Sequence, residues 1–113
     1  MTLRDPRAYL GDIVLAARKA VSAVEGMTLA EFAQSSLHQD AACYAIIVIG
    51  EAATHIREHL EEAAPSVAWQ ECIGMRNQLV HGYFNVSLDI VWSTVREDLP
   101  ALIERLEPLV PDV

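Results

Sequence analysis

The stretch that decides the fold is residues 39–62, QDAACYAIIVIGEAATHIREHLEE. Its first half is almost wholly apolar, its second half is charged, and no proline interrupts it. The apolar run from Ala41 to Gly50 is closed by Glu51, so it is far shorter than the roughly 20 apolar residues that span a bilayer. We therefore expect a long helix at the centre of a helical bundle, with no membrane-spanning segment.

Helix signals also mark the sequence before this central segment. Asp5 precedes a proline, which is the pattern of an N-cap followed by the residue best suited to the first helical turn. An apolar stripe at helical spacing then runs to Gly26 and predicts a first helix. Thr28 and Glu31 fit a capping box, so we expect a short second helix through about Gln34.

The sequence after the central segment predicts two further helices. Pro65 ends the long helix, and the next helix is expected from about Trp69 to His81. The last helix begins near Ser87, and Pro100 should kink or split it because proline lacks the helical donor. No alternating strand pattern competes with this spacing. The prediction is an all-α, antiparallel four- or five-helix bundle that forms a single domain over residues 1–113.

A cation, an imidazole and a phenol collect at the end of the fourth predicted helix, in the segment RNQLVHGY at residues 76–83. The guanidinium of Arg76 matches a phosphate bidentately, and His81 can give and take a proton near neutral pH. These are groups that cleave a phosphodiester. At about 100° per residue, Asn77 shares a helix face with His81 while Arg76 points to the side. Either the Arg76 side chain bends round the helix, or a second copy of the chain completes the site.

The same residues also describe an ordinary helix end. In that interpretation Gly82 takes the left-handed conformation after the last turn, and His81 lies favourably at the negative end of the helix dipole. Tyr83 then packs back on the last turn. A structural helical module that only dimerises is therefore an alternative to an enzyme.

The motif and its surroundings resemble the HepT group of HEPN-domain ribonuclease toxins. The resemblance rests on the Arg-x4-His-x-Tyr pattern of Arg76, His81 and Tyr83, and it covers most of the chain. One departure is Ala68, where many relatives have proline. The other matching segments are IGEA at 49–52, Trp69, VWSTV at 91–95 and Asp98-Leu99-Pro100.

This resemblance implies a metal-independent endoribonuclease toxin of a type VII toxin–antitoxin system. It implies that two copies of the motif face each other in a homodimer or a larger even assembly. Arg76 and His81 are then the catalytic residues, and Asn77 positions the phosphate or His81. Glu51 lies near the active cleft and either orients Arg76 or His81 or is a plain residue at the edge of the bundle. The cognate antitoxin would be a small MntA-type nucleotidyltransferase, which silences the toxin by transferring AMP to Tyr83. No cofactor is implied.

Net charge is the main objection to an RNA-cleaving protein. Eight Lys and Arg face sixteen Asp and Glu, and phosphate contacts by basic residues supply most affinity for nucleic acid. RNA cleavage must then depend on a local cluster of arginines or on basic surface lent by a partner. The acidity favours the alternative of a non-catalytic helical subunit that docks a nucleotidyltransferase.

Other candidate sites carry weaker signals. Glu51, His55 and His59 recur every four residues and could hold zinc, but they lie in a charged helix half that is typical of a solvated face. Cys43 and Cys72 do not have the spacing of a metal or redox pair, so we expect free thiols and no metal site. The first residues do not resemble a secretory signal, and a cytoplasmic protein is the simplest interpretation.

Overall fold

The structure, a computed structural model, describes residues 5–63, 69–82 and 86–110, apart from the side chains of Pro6, His59, Leu60 and Ala63. Within these residues the chain is all-α, as the sequence predicts. The α-helices are α1 (Pro6–Ala23), α2 (Leu29–Ala33), α3 (Ser36–Ala63), α4 (Trp69–His81), α5 (Leu88–Ser93) and α6 (Leu99–Leu106). A π-helical turn, Thr94–Asp98, joins α5 to α6, and a 3₁₀ turn, Glu107–Leu109, follows α6.

The first two helices begin at the residues that the sequence marks as caps. The carboxylate of Asp5 accepts a hydrogen bond of 2.9 Å from the backbone N–H of Arg7. Thr28 and Glu31 form the predicted capping box, in which each side chain accepts from the backbone N–H of the other at 3.1 and 3.0 Å. These caps satisfy backbone donors that have no partner within the helix.

The central helix α3 differs from its prediction in two ways. It begins at Ser36 rather than Gln39, because the hydroxyl of Ser35 accepts from the backbone N–H of His38 at 3.4 Å and acts as the cap. It also bends at Ile56, whose φ of −127° and ψ of 17° are not helical. The kink follows the apolar half, so the segment that carries Gly50 and Glu51 is regular helix.

Helix α3 packs against α1 on one side and α4 on the other, and α1 also packs against α6. Burial of α3 between two helices explains why its first half is almost wholly apolar. None of the described helices is both long and apolar enough to cross a membrane. The largest fully buried side chains are Ile13, Val24, Phe32, Val91, Val95 and Leu106.

The last predicted helix is split, as Pro100 led us to expect. The split takes the form of the π-helical turn, in which the backbone N–H of Leu99 bonds to the carbonyl of Thr94, five residues back. Pro100 then occupies the first turn of α6, where a missing donor costs little. The wider turn accommodates the proline and allows the chain to continue in one direction.

Candidate functional site

Helices α3 and α4 meet at Gly50. A Cβ atom placed on Gly50 would lie 2.2 Å from Cβ of Arg76, 2.9 Å from its Cγ and 3.0 Å from the carbonyl oxygen of Cys72. Non-bonded atoms do not approach so closely, and two of the three obstructing atoms are held by the α4 backbone itself. Glycine at position 50 therefore sets how near α4 comes to α3, and it places Arg76 beside the next residue of α3, Glu51.

The Arg76 guanidinium is held by one acceptor on each helix. Its Nε and Nη2 donate to Oε2 of Glu51 at 2.9 and 2.5 Å, and its Nη1 donates to Oδ1 of Asn77 at 2.7 Å. Three of the five N–H hydrogens of an arginine are engaged in this way, which leaves one on each terminal nitrogen for a further acceptor. The Arg76 side chain is only 25% exposed, while that of Glu51 is 49% exposed.

This geometry assigns Glu51 a partner that the sequence left open. Glu51 bonds to Arg76, whereas the sequence allowed an association with either Arg76 or His81, or none. A guanidinium fixed at two points is a cation of set orientation, suited to binding the oxygens of a phosphate. Asn77 contributes as an acceptor toward Arg76, since its own amide oxygen takes the Nη1 hydrogen.

His81 is the last residue of α4 and is exposed to solvent. Within the described residues, no hydrogen bond joins it to Arg76 or to Asn77. The expectation that Gly82 is left-handed is wrong, because Gly26, with φ of 77°, is the one described glycine with a positive φ. The N–H of Gly82 instead donates to the carbonyl of Gln78 at 2.8 Å and prolongs the helical bonding by one residue. The proposed modification site, Tyr83, lies outside the described residues.

Most other arginines in the described part of the chain are bound to carboxylates. Arg7 pairs with Asp5 at 2.9 Å, Arg57 pairs with Glu61 at 3.0 Å, and Arg18 pairs with Glu107. These pairs are exposed, so they neutralise surface charge more than they stabilise the fold. These neutralised arginines add little basic surface for RNA. The binding of a phosphate therefore depends mainly on the orientation of Arg76.

The described residues contain no group of three His, Cys, Asp or Glu side chains placed to hold a metal ion. His55, one of the candidate ligands considered above, stacks on the ring of Tyr9 with a centroid separation of 5.2 Å and an angle of 14°. The side chain of His59 lies outside the described residues. The structure therefore gives His55 a packing contact between α3 and α1.

A groove of about 330 Å³ opens between α3, α4 and the C-terminal helices, and sequence reasoning did not identify it. Partial desolvation raises the pKa of the Asp98 carboxyl at its rim, and the nearby Glu97 and Glu71 raise that pKa further. Burial raises the pKa of the Cys72 thiol to about 11. No pattern in the sequence predicts this groove, because its walls meet only in the folded chain. The apolar residues that line it are Ile46, Ile49, Met75, Leu99 and Leu102.

Comparisons with known proteins identify the family of the chain. The family described as "Ribonuclease HepT-like" matches residues 13–109. The chain is 33% identical over 107 residues to "Putative RNase MJ1380" of Methanocaldococcus jannaschii, covering 95% of this chain and 98% of that protein. It is 32% identical over 106 residues to "Probable ribonuclease HepT" of Thermococcus cleftensis, covering 94% and 96%. No solved structure matches the chain significantly. With a match that runs from α1 to the last turn, the chain belongs to the HepT-like ribonuclease family.

Proposed function

We propose that the chain is a metal-independent endoribonuclease toxin in which Arg76 and His81 are the catalytic residues. The observation that carries this proposal is the guanidinium of Arg76, fixed by Glu51 and Asn77 with one N–H left on each terminal nitrogen. A cation of fixed orientation can bind two oxygens of a phosphate as charge builds on them in the transition state. The membership of the chain in a ribonuclease family supports RNA as the substrate.

The proposed reaction is an attack of the RNA 2′-hydroxyl on the adjacent phosphate. One His81 takes the proton of the 2′-hydroxyl while the 2′-oxygen forms a bond to phosphorus. The bond from phosphorus to the 5′-oxygen breaks, and a second imidazole gives that oxygen a proton. The products are a 2′,3′-cyclic phosphate and a 5′-hydroxyl, and Arg76 stabilises the negative charge on the phosphorane oxygens between them.

Glu51 and Asn77 act as positioning residues for Arg76. The carboxylate of Glu51 lies against the cation and lowers its attraction for a phosphate, so this contact does not serve substrate affinity. It instead holds the plane of the guanidinium in one orientation, which reduces the entropy lost when the transition state forms. Glu51 therefore contributes to the rate of the bound complex.

Two copies of the chain are part of the proposal, because one imidazole cannot readily serve both the attacking and the leaving oxygen. Arg76 and His81 are five residues apart on one helix, which is about 7.5 Å along its axis. A homodimer or larger even assembly supplies a second His81 and can place it beside Arg76. An equal mixture of wild-type and His81→Ala chains tests this point, because only dimers of two wild-type chains keep both imidazoles. Random mixing should leave about a quarter of the cleavage of the same amount of wild-type chain, whereas a site within one chain would leave about half.

Silencing by AMP transfer to Tyr83 belongs to the same proposal. Tyr83 follows His81 by two residues. An added phosphate there would present an anion to Arg76 and would repel the phosphates of RNA. Co-expression with a cognate nucleotidyltransferase antitoxin should add the mass of one or more AMP groups to Tyr83 and abolish cleavage. A fully inhibited chain with unmodified Tyr83 would contradict this mechanism and favour inhibition by complex formation.

The test of the catalytic assignment is cleavage of total RNA by His81→Ala, with His38→Ala as the control. His38 lies at the start of α3, where its Nδ1 is 2.5 Å from the hydroxyl of Ser35. Cleavage by His81→Ala should fall by about 100- to 1000-fold, and cleavage by His38→Ala should not change. Both assays contain excess chelator. Wild-type rates in His81→Ala would reject the assignment.

The acidic surface favours one second candidate function. Arg7, Arg18 and Arg57 are already bound to carboxylates, as a subunit that need not bind RNA would allow. In that case the chain is a non-catalytic helical subunit that docks a nucleotidyltransferase. Purified wild-type chain that cleaves no RNA but binds the nucleotidyltransferase tightly would support this alternative.

A further inference from the structure

A shallow groove of about 400 Å³ runs between α1 and α3, on a side of the bundle that is open to solvent. Leu15 of α1 is 55% exposed and Tyr44 of α3 is 70% exposed, although both are large and apolar. Exposed apolar side chains that cluster in this way mark interaction surfaces more often than isolated ones do. The residues that line the groove are Asp12, Leu15, Ala16, Lys19, Ala41, Tyr44, Ala45 and Val48.

The groove adjoins the candidate catalytic site. Tyr44, Val48 and Glu51 follow one another at spacings of four and three residues, so they lie along one side of α3. Glu51 bonds to Arg76 of α4, and Val80 lies one helical turn after Arg76 on the same side of α4. Val80 is also exposed, by 46%. The groove and the candidate site thus occupy neighbouring parts of α3, and α1, α3 and α4 each carry an exposed apolar side chain there.

The charged residues on this face are placed so that two identical copies of the face attract each other. Asp12 and Lys19 lie at equal distances on either side of the midpoint between Leu15 and Ala16. Consider a two-fold axis that lies in the plane of contact and crosses α1 at this midpoint. It brings Asp12 of one copy opposite Lys19 of the other, and the symmetry forms this pair twice in the dimer. Lys19 is exposed and has no carboxylate partner among the described residues.

We infer that a second copy of this chain covers this face, with α1 against α1 and α3 against α3 in antiparallel directions. The inference rests on the proposed function, which requires a second copy, and it specifies the surface that the copy uses. The lining residues of α3 have the same spacing as those of α1, so the axis that crosses α1 between Leu15 and Ala16 crosses α3 between Tyr44 and Ala45. The contact is apolar at the axis and charged at its edge, as in stable interfaces.

The position of the axis determines which His81 lies beside Arg76. Five residues join α3 to α4, so the two helices are antiparallel neighbours, with Gly50 opposite the turn between Cys72 and Arg76. The axis at Tyr44 and Ala45 is about 8 Å from Gly50 along α3, and the same distance along α4 reaches Val80. His81 therefore lies close to the axis, with Arg76 about 5 Å to the other side of it.

A two-fold rotation about this axis carries His81 of the second copy to the side where Arg76 lies. Along the helix direction, the offset between Arg76 and His81 falls from about 7.5 Å within one chain to about 3 Å between the two chains. The same axis that pairs Asp12 with Lys19 thus also brings the two halves of the proposed site into register. The charges of α1 and the motif of α4 are independent observations that lead to one arrangement.

Sedimentation of Leu15→Glu and Ile90→Glu chains tests the surface. Ile90 of α5 is 53% exposed, so the two variants introduce the same charge at sites of equal exposure. Leu15→Glu should weaken the dimer by about 100-fold or more, since two carboxylates would be buried at the axis, and Ile90→Glu should leave it unchanged. A second measurement uses Leu15→Cys, which a short bifunctional maleimide should cross-link between copies, whereas Ile90→Cys should not cross-link.

Charge reversal tests the antiparallel register. Asp12→Lys and Lys19→Glu should each weaken the dimer by about tenfold, because each places like charges opposite one another twice. The chain that carries both reversals restores opposite charges and should regain wild-type affinity. A double variant that is weaker than either single variant would overturn this register. Wild-type chain that is monomeric at about 100 µM, or Leu15→Glu that dimerises like wild type, would overturn the surface itself.

These outcomes are separate from the fate of the proposed function. If Leu15→Glu dissociates the dimer while His81→Ala still cleaves RNA, the surface stands and the catalytic assignment fails. If His81→Ala loses cleavage while Leu15→Glu remains a tight dimer, the catalytic assignment stands and the surface is elsewhere. Circular dichroism of each variant confirms that the helices are intact.

Discussion

Among the described residues, two arginine–glutamate pairs involve α3, and they differ in what holds them together. Arg57 and Glu61 lie four residues apart on this helix, with side chains 40% and 51% exposed. Arg76 and Glu51 are 25 residues apart on different helices, and Asn77 binds the same guanidinium. The first pair forms in any helix with that spacing, whereas the second exists only where α3 and α4 approach at Gly50. The geometry of the candidate site therefore depends on the packing of the bundle.

Removing the arginine from each pair should give the largest difference between the two pairs. Arg76→Ala is expected to lower RNA cleavage by about 100- to 1000-fold, because it deletes the donors to the phosphorane oxygens. Arg57→Ala should leave cleavage unchanged and should alter the free energy of unfolding by less than about 0.5 kcal/mol, as for other exposed helical pairs. Both variants are compared on the same RNA and by urea denaturation. Equal activity of the two variants would mean that Arg76 is only a surface residue.

Adding one methyl group at the helix crossing should disturb the inter-helix pair alone. Gly50→Ala is expected to lower the free energy of unfolding by about 2–3 kcal/mol, because its Cβ would overlap Arg76 and force α4 away from α3. The same change at Gly74 of α4 meets no atom within 4 Å, so it should stabilise the helix by about 0.5–1 kcal/mol. Urea denaturation measures both effects, and cleavage should fall with Gly50→Ala only. Two stabilised variants would show that the crossing has room for a side chain.

Neutralising the carboxylate of each pair should give a smaller effect. Glu51→Gln keeps the shape of the side chain but weakens its hold on Arg76, and we expect kcat to fall by about tenfold. KM should stay the same or fall, because the carboxylate that repels phosphate is gone. The matched variant, Glu61→Gln, should change neither parameter. A rise in KM with unchanged kcat in Glu51→Gln would assign Glu51 to substrate binding rather than to positioning.

The smallest expected effect is that of neutralising Asp98, whose neighbours Glu97 and Glu71 are also carboxylates. The pKa of Asp98 is raised by desolvation, Glu97 and Glu71. The folded chain thus holds this proton to higher pH than the unfolded chain does, and the free energy of unfolding falls as pH rises from the ordinary value of 3.8 through the raised one. Above that window, Asp98→Asn should stabilise the fold by roughly half a kcal/mol or less, since Asp98 remains exposed.

Urea denaturation at pH 7 and at about pH 2.5, well below the ordinary pKa of 3.8, measures this difference. The advantage of Asp98→Asn should disappear at the lower pH, where both chains are neutral at position 98. Glu104→Gln on α6 is the control, and it should not change stability at either pH. A stabilisation that persists in acid would show that the carboxylate charge is not its cause.

The sequence predicted the features of the fold that depend on neighbouring residues. The caps at Asp5 and Thr28 and the span from Trp69 to His81 follow from local hydrogen bonding and spacing, and the structure confirms them. The split near Pro100 was also expected, because proline removes a donor wherever it stands. The bend at Ile56 had no such signal, since neither proline nor glycine adjoins it.

The candidate site was less predictable, because its contacts join distant parts of the chain. The sequence identified Arg76 and His81 by their spacing and left open whether the Arg76 side chain bends or a second copy approaches. It could not show that Gly50 is in contact with Arg76, since glycine can occur within a helix for several structural reasons. The prediction that Gly82 is left-handed was wrong, because the N–H of Gly82 donates to the carbonyl of Gln78 and so extends the hydrogen bonding of α4 by one residue.

The two native cysteines have a practical consequence for chemical labelling. Maleimides react with the thiolate, and burial raises the pKa of both Cys43 and Cys72, the latter to about 11. At neutral pH almost all molecules therefore keep both thiols protonated and slow to react. A cysteine introduced on the surface becomes the one fast-reacting thiol of the described chain. Fluorophores and spin labels can thus be attached at chosen positions without first replacing residues that pack in the core.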